Sequence, residues 1–273
     1  MTTETPLSRE QVLSALVNAL EPLAHVHAFW EGGAAGFDRV DQWSDADVQM
    51  VVEDDRVEET FEVIEAALGS LSEIDVKFRL PEPTWHGHSQ CFYRLKDASP
   101  YLMIDLVIMK ETSDADRFME ASIHGKPNVF FDKKNVVQDK AVDLETHLTK
   151  IKGRLESLRN MFNLFWILTP KEIYRGNSIE AMSFYMNYTM RPLVEALRIK
   201  HCPIRFFYST RYVHYDLPQQ VVTRLETLYF PKDTKTMAKY REEAETWFWE
   251  VLDEIDLEEI QQNLSNQDRR DKS

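Results

Sequence analysis

The sequence predicts an α+β fold in two parts: a front domain built on a mixed β-sheet with flanking helices, and a back domain that is a helical bundle. Three observations lead there. Strand-like runs with apolar residues at alternate positions, such as ADVQMVV and IDVKFRL, are confined to the first 140 residues. From Asp143 onward apolar residues recur at helical spacing instead. A polar turn, DKKN, precedes the change of period and sets a boundary between domains 1–140 and 141–273. A chain of 273 residues is long enough to bury a core in each part.

Each element follows from its local pattern. Ser8 stands before Arg9 and Glu10, with Val12, Leu13, Leu16, Val17 and Leu20 behind them, which predicts a capped amphipathic helix ending near Pro22. HVHAFWEGG reads as a strand running into a glycine turn. The strand ADVQMVVE follows, then a helix over about 56–68, the strand IDVKFRL, a loop around PEPTWHGHS, and the strands QCFYRLK and YLMIDLVIMK. In the back domain DLETHLTKIKGRLESLRNMFNLFWIL, residues 173–199, LPQQVVTRLETLYF and residues 235–260 predict four or five helices. The last nine residues, SNQDRRDKS, read as a frayed tail.

Composition removes several classes of function. The formal net charge of −14 argues against broad binding to nucleic acid, whose phosphates require a basic footprint. Residues 1–140 hold 13 Lys and Arg against 26 Asp and Glu, whereas residues 141–273 hold 19 against 20, so the acidity is concentrated in front. An acidic front domain would attract cations, although scattered solvated charge gives the same count. No apolar run approaches the length of a membrane span, and MTTETPLSRE lacks the basic and apolar regions of a leader, so neither membrane insertion nor export is expected. Two cysteines, Cys91 and Cys202, make neither a disulfide framework nor a metal pair, which fits a cytoplasmic protein. A homodimer is compatible with all of this.

The stretch EGGAAGFDRVDQWSDADVQMVV concentrates the chemistry. Of eight glycines in the chain, Gly32, Gly33 and Gly36 fall within five positions, where a tight turn or a close approach to the backbone is needed. In the strand that follows, Ala46, Val48, Met50 and Val52 share one face, while Asp45, Asp47 and Gln49 share the other. In YLMIDLVIM, Asp105 interrupts eight apolar residues. A carboxylate buried in such a strand must be paired, hydrogen-bonded or metal-bound. Two readings are open: the three acids meet around divalent metal, or Asp45 serves a turn, Asp47 faces solvent and Asp105 partners an arginine. The first suits Mg²⁺, which takes carboxylate and phosphate oxygens together, as in two-metal displacement at phosphorus.

Gly32-Gly33, an eleven-residue spacer ending in Ser44, then Asp45-Ala46-Asp47-Val48 and the later Ile104-Asp105-Leu106 resemble the nucleotidyltransferase superfamily of the DNA polymerase β type. The attached helical domain looks like that of the aminoglycoside and lincosamide nucleotidyltransferases, an antibiotic-resistance branch. The resemblance implies that Asp45, Asp47 and Asp105 are catalytic and hold Mg²⁺, one or two ions, with Mn²⁺ able to substitute. It also implies that Gly32, Gly33 and Ser44 bind the nucleotide, ATP or another NTP. The turn lacks the basic residue many relatives carry there. Arg39 is the nearest substitute, and Lys150, with Lys152 behind it, could also grip the triphosphate. Asp105 completes the metal site or takes the proton of an acceptor hydroxyl, Glu145 being the alternative base. The implied reaction moves AMP to a small, cationic acceptor. A protein-modifying transferase of toxin–antitoxin type and a nucleotide-binding interaction protein without turnover are the alternatives. Gly33 stands where many relatives have serine.

Other segments have quieter explanations. His86 and His88 in WHGHS lack a third ligand nearby and read as a polar loop. His25 and His27 read as residues flanking a core, and Trp247, Phe248 and Trp249 as helix packing. RFFYSTRYVHYDLP mixes aromatic and basic residues between helices, suiting core and capping roles or part of an acceptor pocket.

Overall fold

The computed structural model describes residues 6–270, the side chains of 268–270 excepted. The leader-type reading of the first residues and the end of the frayed-tail reading therefore lie partly outside the described residues. The fold is α+β, and the chain divides into two compact units, Met1–Ala141 and Val142–Ser273. No helix among the described residues is long and apolar enough to cross a membrane.

The first unit runs α1 (Arg9–Leu20), β1 (Val26–Glu31), β2 (Ala46–Val52), α2 (Val57–Leu71), β3 (Ile74–Arg79), β4 (Ser89–Leu95), β5 (Ile104–Lys110), α3 (Ala121–His124) and β6 (Asn128–Asp132). Ser8 caps α1 in a reciprocal box with Gln11, as its sequence position predicts. The six strands form one mixed sheet in the order β3-β4-β5-β2-β1-β6. Only the central pair, β2 and β5, is parallel; the neighbouring pairs are antiparallel. Val48, Met50 and Val52 of β2, with Ile104, Leu106 and Ile108 of β5, bury one face against Leu13, Leu16 and Leu20 of α1 and Phe61, Ile64 and Leu68 of α2. Ala28, Trp30, Val51 and Met109 build a smaller core with Met119 on the opposite face. Asp47 and Asp105 alternate onto that second face, beyond the reach of the main core.

Two strands of the front domain depart from the sequence pattern, and the short α3 is a further element that the pattern does not mark. β5 begins at Ile104 and leaves Tyr101 and Met103 exposed. β6, NVFFD, was not anticipated; it follows Gly125-Lys126-Pro127, a sequence that reads as loop, and pairs with β1 at the sheet edge.

The second unit contains α4 (Leu144–Phe165), α5 (Leu168–Arg175), α6 (Ser178–Tyr185), a π-helical turn (Met186–Met190), α7 (Arg191–His201), α8 (Val213–Asp216), α9 (Gln219–Tyr229), α10 (Thr234–Glu254) and α11 (Leu257–Arg270). The segment 173–199 is thus three helices. Gly176, in the left-handed conformation at φ +80, stops α5, and Pro192 sits in the first turn of α7. The terminal segment, expected to fray, continues α11 from Ser265 to Arg270, just after the buried Leu264. Phe248 stacks on Phe162 at 4.1 Å between ring centroids, so the tryptophan-rich stretch packs helices together.

Arg198 is the largest buried charge of this unit. Its side chain is 0% exposed and meets Asp216, itself 1% exposed, at 3.0 Å. Its Nε donates to the carbonyl of Ser209 at 2.5 Å, and a second guanidinium nitrogen donates to the carbonyl of Arg211. One side chain therefore organises the mixed aromatic and basic stretch 205–216, where Ser209 and Tyr212 adopt positive φ. Asp216→Asn should cost about 3–5 kcal/mol, because it leaves the guanidinium buried without its counter-charge. Chemical denaturation followed by circular dichroism measures this, and a loss under about 1 kcal/mol would show that the carbonyls alone satisfy Arg198.

Candidate functional site: three carboxylates and a glycine turn

The site is assembled by strand register. β2 and β5 pair in parallel with Asp47 directly opposite Asp105, so both carboxylates project from the same face side by side. Asp45 lies just before β2, where its Oδ1 accepts from the Met103 backbone N–H at 3.2 Å and fastens the start of β2 to that of β5. Its backbone carbonyl accepts from Arg9 Nε at 3.0 Å. Of the two readings of Asp105, neither names its partner: Gln90 Nε2 of β4 donates to Asp105 Oδ1 at 2.6 Å.

The glycine turn packs against this pair. Gly32 N–H donates to the Asp47 carbonyl at 2.9 Å. Gly33 has φ +55, and a Cβ added there would lie 1.7 Å from Asp47 Oδ2. No side chain fits at this position, since the Asp47 carboxylate fills the space it would need. As folded, the group lying against Gly33 is that carboxylate. Gly36 and Gly125 also approach each other, and a Cβ on Gly125 would meet the Gly36 carbonyl oxygen at 2.5 Å.

The remaining predicted residues are placed as follows. Ser44 is engaged in a turn, its hydroxyl accepting from Asp41 N–H at 2.9 Å and donating to Asp41 Oδ1 at 3.1 Å. Arg39 follows the glycine turn, with its guanidinium 5.0 Å from the Phe37 ring centroid. Lys150 and Glu145 belong to α4 in the second unit, and both are exposed. Among the described residues no group of three or more His, Cys, Asp or Glu side chains is arranged to hold a metal ion. Donor chemistry is nonetheless right for a hard divalent cation, being carboxylate oxygen on one sheet face.

Electrostatics set Asp105 apart. Burial pushes its carboxyl up to about 6; the Gln90 hydrogen bond opposes this, and the charges of Asp47 and Asp45 add to the rise. Glu31, at the end of β1, is 1% exposed and is likewise raised by burial, against the pull of its partner Arg9 and a hydrogen bond from Asn128. The sequence reading omitted Arg9, Glu31 and Gln90. Glu31 carried a usable signal, since a lone acid closing an apolar strand is the same anomaly that marks Asp105. Gln90 carried none.

No family model matches the chain, and no curated protein matches it. Among solved structures it is similar to spectinomycin adenyltransferase AAD(9) from Enterococcus faecialis, crystallised with ATP and spectinomycin. The TM-score is 0.34 at 11% identity, covering 97% of this chain and 100% of that one. A likeness this distant adds nothing to what the residues say.

Two outcomes follow from the geometry. Gly33→Ala should destabilise by at least about 2 kcal/mol, from the left-handed backbone and the collision with Asp47. Gly69→Ala, whose added Cβ meets nothing within 4 Å on α2, should be neutral or gain up to about 1 kcal/mol. Parallel urea titrations decide both.

The second concerns pH. The folded-state carboxyl of Asp105 titrates near 6, above an unfolded value of about 4, so the folded protein binds this proton more tightly. Its contribution is favourable below about pH 4 and declines as pH rises to about 6. Asp105→Asn removes that loss and should be more stable than the parent by about 1–2 kcal/mol at pH 8, the gap closing toward pH 4. Denaturation curves at the two pH values give the difference, and equal gaps at both would disprove it.

Proposed function

We propose that the chain is a metal-dependent nucleotidyltransferase that moves a nucleoside monophosphate, AMP in the first instance, from a nucleoside triphosphate to a hydroxyl of a small acceptor. One observation carries this reading: Asp47 and Asp105 stand opposite each other in register on the parallel strand pair at the centre of the sheet, with Asp45 two residues upstream on the same strand line. The sequence resemblance assigned these acids a common site, and their register is what a common site requires.

In this reading Asp45 and Asp47 would hold Mg²⁺ or Mn²⁺, with Asp105 as the third candidate ligand. A bound cation supplies charge neutralisation for the triphosphate, which the acidic face alone would repel. The chain's own residues do the rest. The triphosphate would lie beside the turn of Gly32 and Gly33, with Arg39 as its candidate counter-charge. Asp105 would either complete the metal site or receive the acceptor's hydroxyl proton as that oxygen attacks the α-phosphorus; the bond to the β-phosphate breaks and pyrophosphate leaves. Three acids on one face favour a cationic acceptor such as an aminoglycoside.

The test is incubation with α-labelled nucleotides, Mg²⁺ and a panel of aminoglycosides, lincosamides and protein extract. Label on a small acceptor supports the proposal, label on protein favours a protein-modifying transferase, and binding without transfer favours an interaction protein. ATP should raise the melting temperature in Mg²⁺ or Mn²⁺ and leave it unchanged in EDTA, because only a ligand taken up by the folded state stabilises it. Asp47→Asn and Asp105→Asn should each lower transfer by at least about 100-fold.

A further inference from the structure

Gln90 and His86 were not singled out by the chemistry of the site, yet they form an ordered chain of hydrogen bonds that ends on Asp105. The chain begins in the loop before β4. The His88 backbone N–H donates to His86 Nδ1 at 3.1 Å, so that nitrogen is an acceptor and carries no proton. The Thr84 hydroxyl lies 3.3 Å from the same nitrogen and donates to the His88 carbonyl at 2.6 Å, so the shorter contact, from the His88 N–H, decides the tautomer. The ring proton of neutral His86 is therefore on Nε2, which lies 2.9 Å from Gln90 Oε1 and donates to it. With its oxygen engaged, the amide of Gln90 has one orientation, and its nitrogen faces Asp105 Oδ1 at 2.6 Å.

The loop that supplies His86 is itself anchored. His88 is 4% exposed and its Nε2 donates to the Asp116 carbonyl at 2.8 Å. A fixed loop, a fixed tautomer and a fixed amide follow in turn, and a donor fixed on one carboxylate oxygen leaves the other as the more open to a change of partner.

We propose that Gln90, oriented by His86, is the positioning residue of the carboxylate site: it occupies Oδ1 of Asp105 and reserves Oδ2 for metal or for the acceptor's proton. This rests on the transfer reading above, in which Asp105 acts on substrate. Gln90 touches neither substrate nor metal and works only through Asp105.

The role separates from a merely structural one by two readouts. In ¹H–¹⁵N spectra the Gln90 side-chain amide proton facing Asp105 should resonate downfield of those of other glutamines. His86→Phe should return it to the free-amide position, while His86→Gln, which keeps a donor, should preserve it. In transfer assays Gln90→Met should lower kcat by about 10–100-fold with the nucleotide KM changed less than about threefold, as for a misplaced rather than missing group. Gln90→Met combined with Asp105→Asn should be no slower than Asp105→Asn alone. Multiplying losses in that double variant, or an amide signal unmoved by His86→Phe, overturns the proposal while transfer itself stands. A downfield amide in a wild-type protein that transfers nothing overturns the transfer reading, and Gln90's role with it.

Discussion

Everything at the candidate site depends on the pairing of β2 with β5. Parallel neighbours place equal-numbered steps of two strands side by side, and here that step brings one carboxylate against another. Two adjacent negative charges on a half-buried face are unfavourable alone, and the surroundings show how the cost is distributed. Gln90 supplies a neutral donor, Arg9 engages Glu31 and the Asp45 carbonyl, and Asp105 answers with a raised proton affinity. The glycines belong to the same arrangement, for Gly33 makes room for the Asp47 carboxylate.

What could be seen in the sequence follows from the range of the forces that write the pattern. Strand alternation is local, so the face shared by Asp45 and Asp47 was legible from seven residues. The lone acid of β5 was legible because an apolar run makes any charge conspicuous. Its partner was not. An arginine was one expectation, and the structure supplies a glutamine from a neighbouring strand, a contact fixed by sheet order rather than by any local signal. β6 escaped for a similar reason: five residues after a Gly-Lys-Pro loop become a strand only because β1 offers an edge. In the helical unit the apolar spacing ran smoothly through 173–199, and the interruption came from Gly176, whose backbone conformation the spacing does not record.

His86 shows how a sound local reading can be incomplete. WHGHS is a polar loop, and its two histidines do not form a metal site with a third ligand among the described residues. The loop nevertheless has a direction, because successive donors and acceptors leave each group a single arrangement. Such order is invisible to residue counting, since it lies in which nitrogen carries the proton.

The parallel pairing also bears on how the chain folds. Asp47 and Asp105 are 58 residues apart, whereas β3, β4 and β5 succeed one another with short connections and pair antiparallel. Closing the longer loop costs more chain entropy before any contact rewards it. The meander of β3 to β5 can gather locally, and β2 joins it only once the intervening helix has turned the chain around. Loop-closure entropy alone therefore favours the contacts of the meander over the meeting of the two carboxylates, and a chain in which β3 to β5 have paired still holds its acids apart.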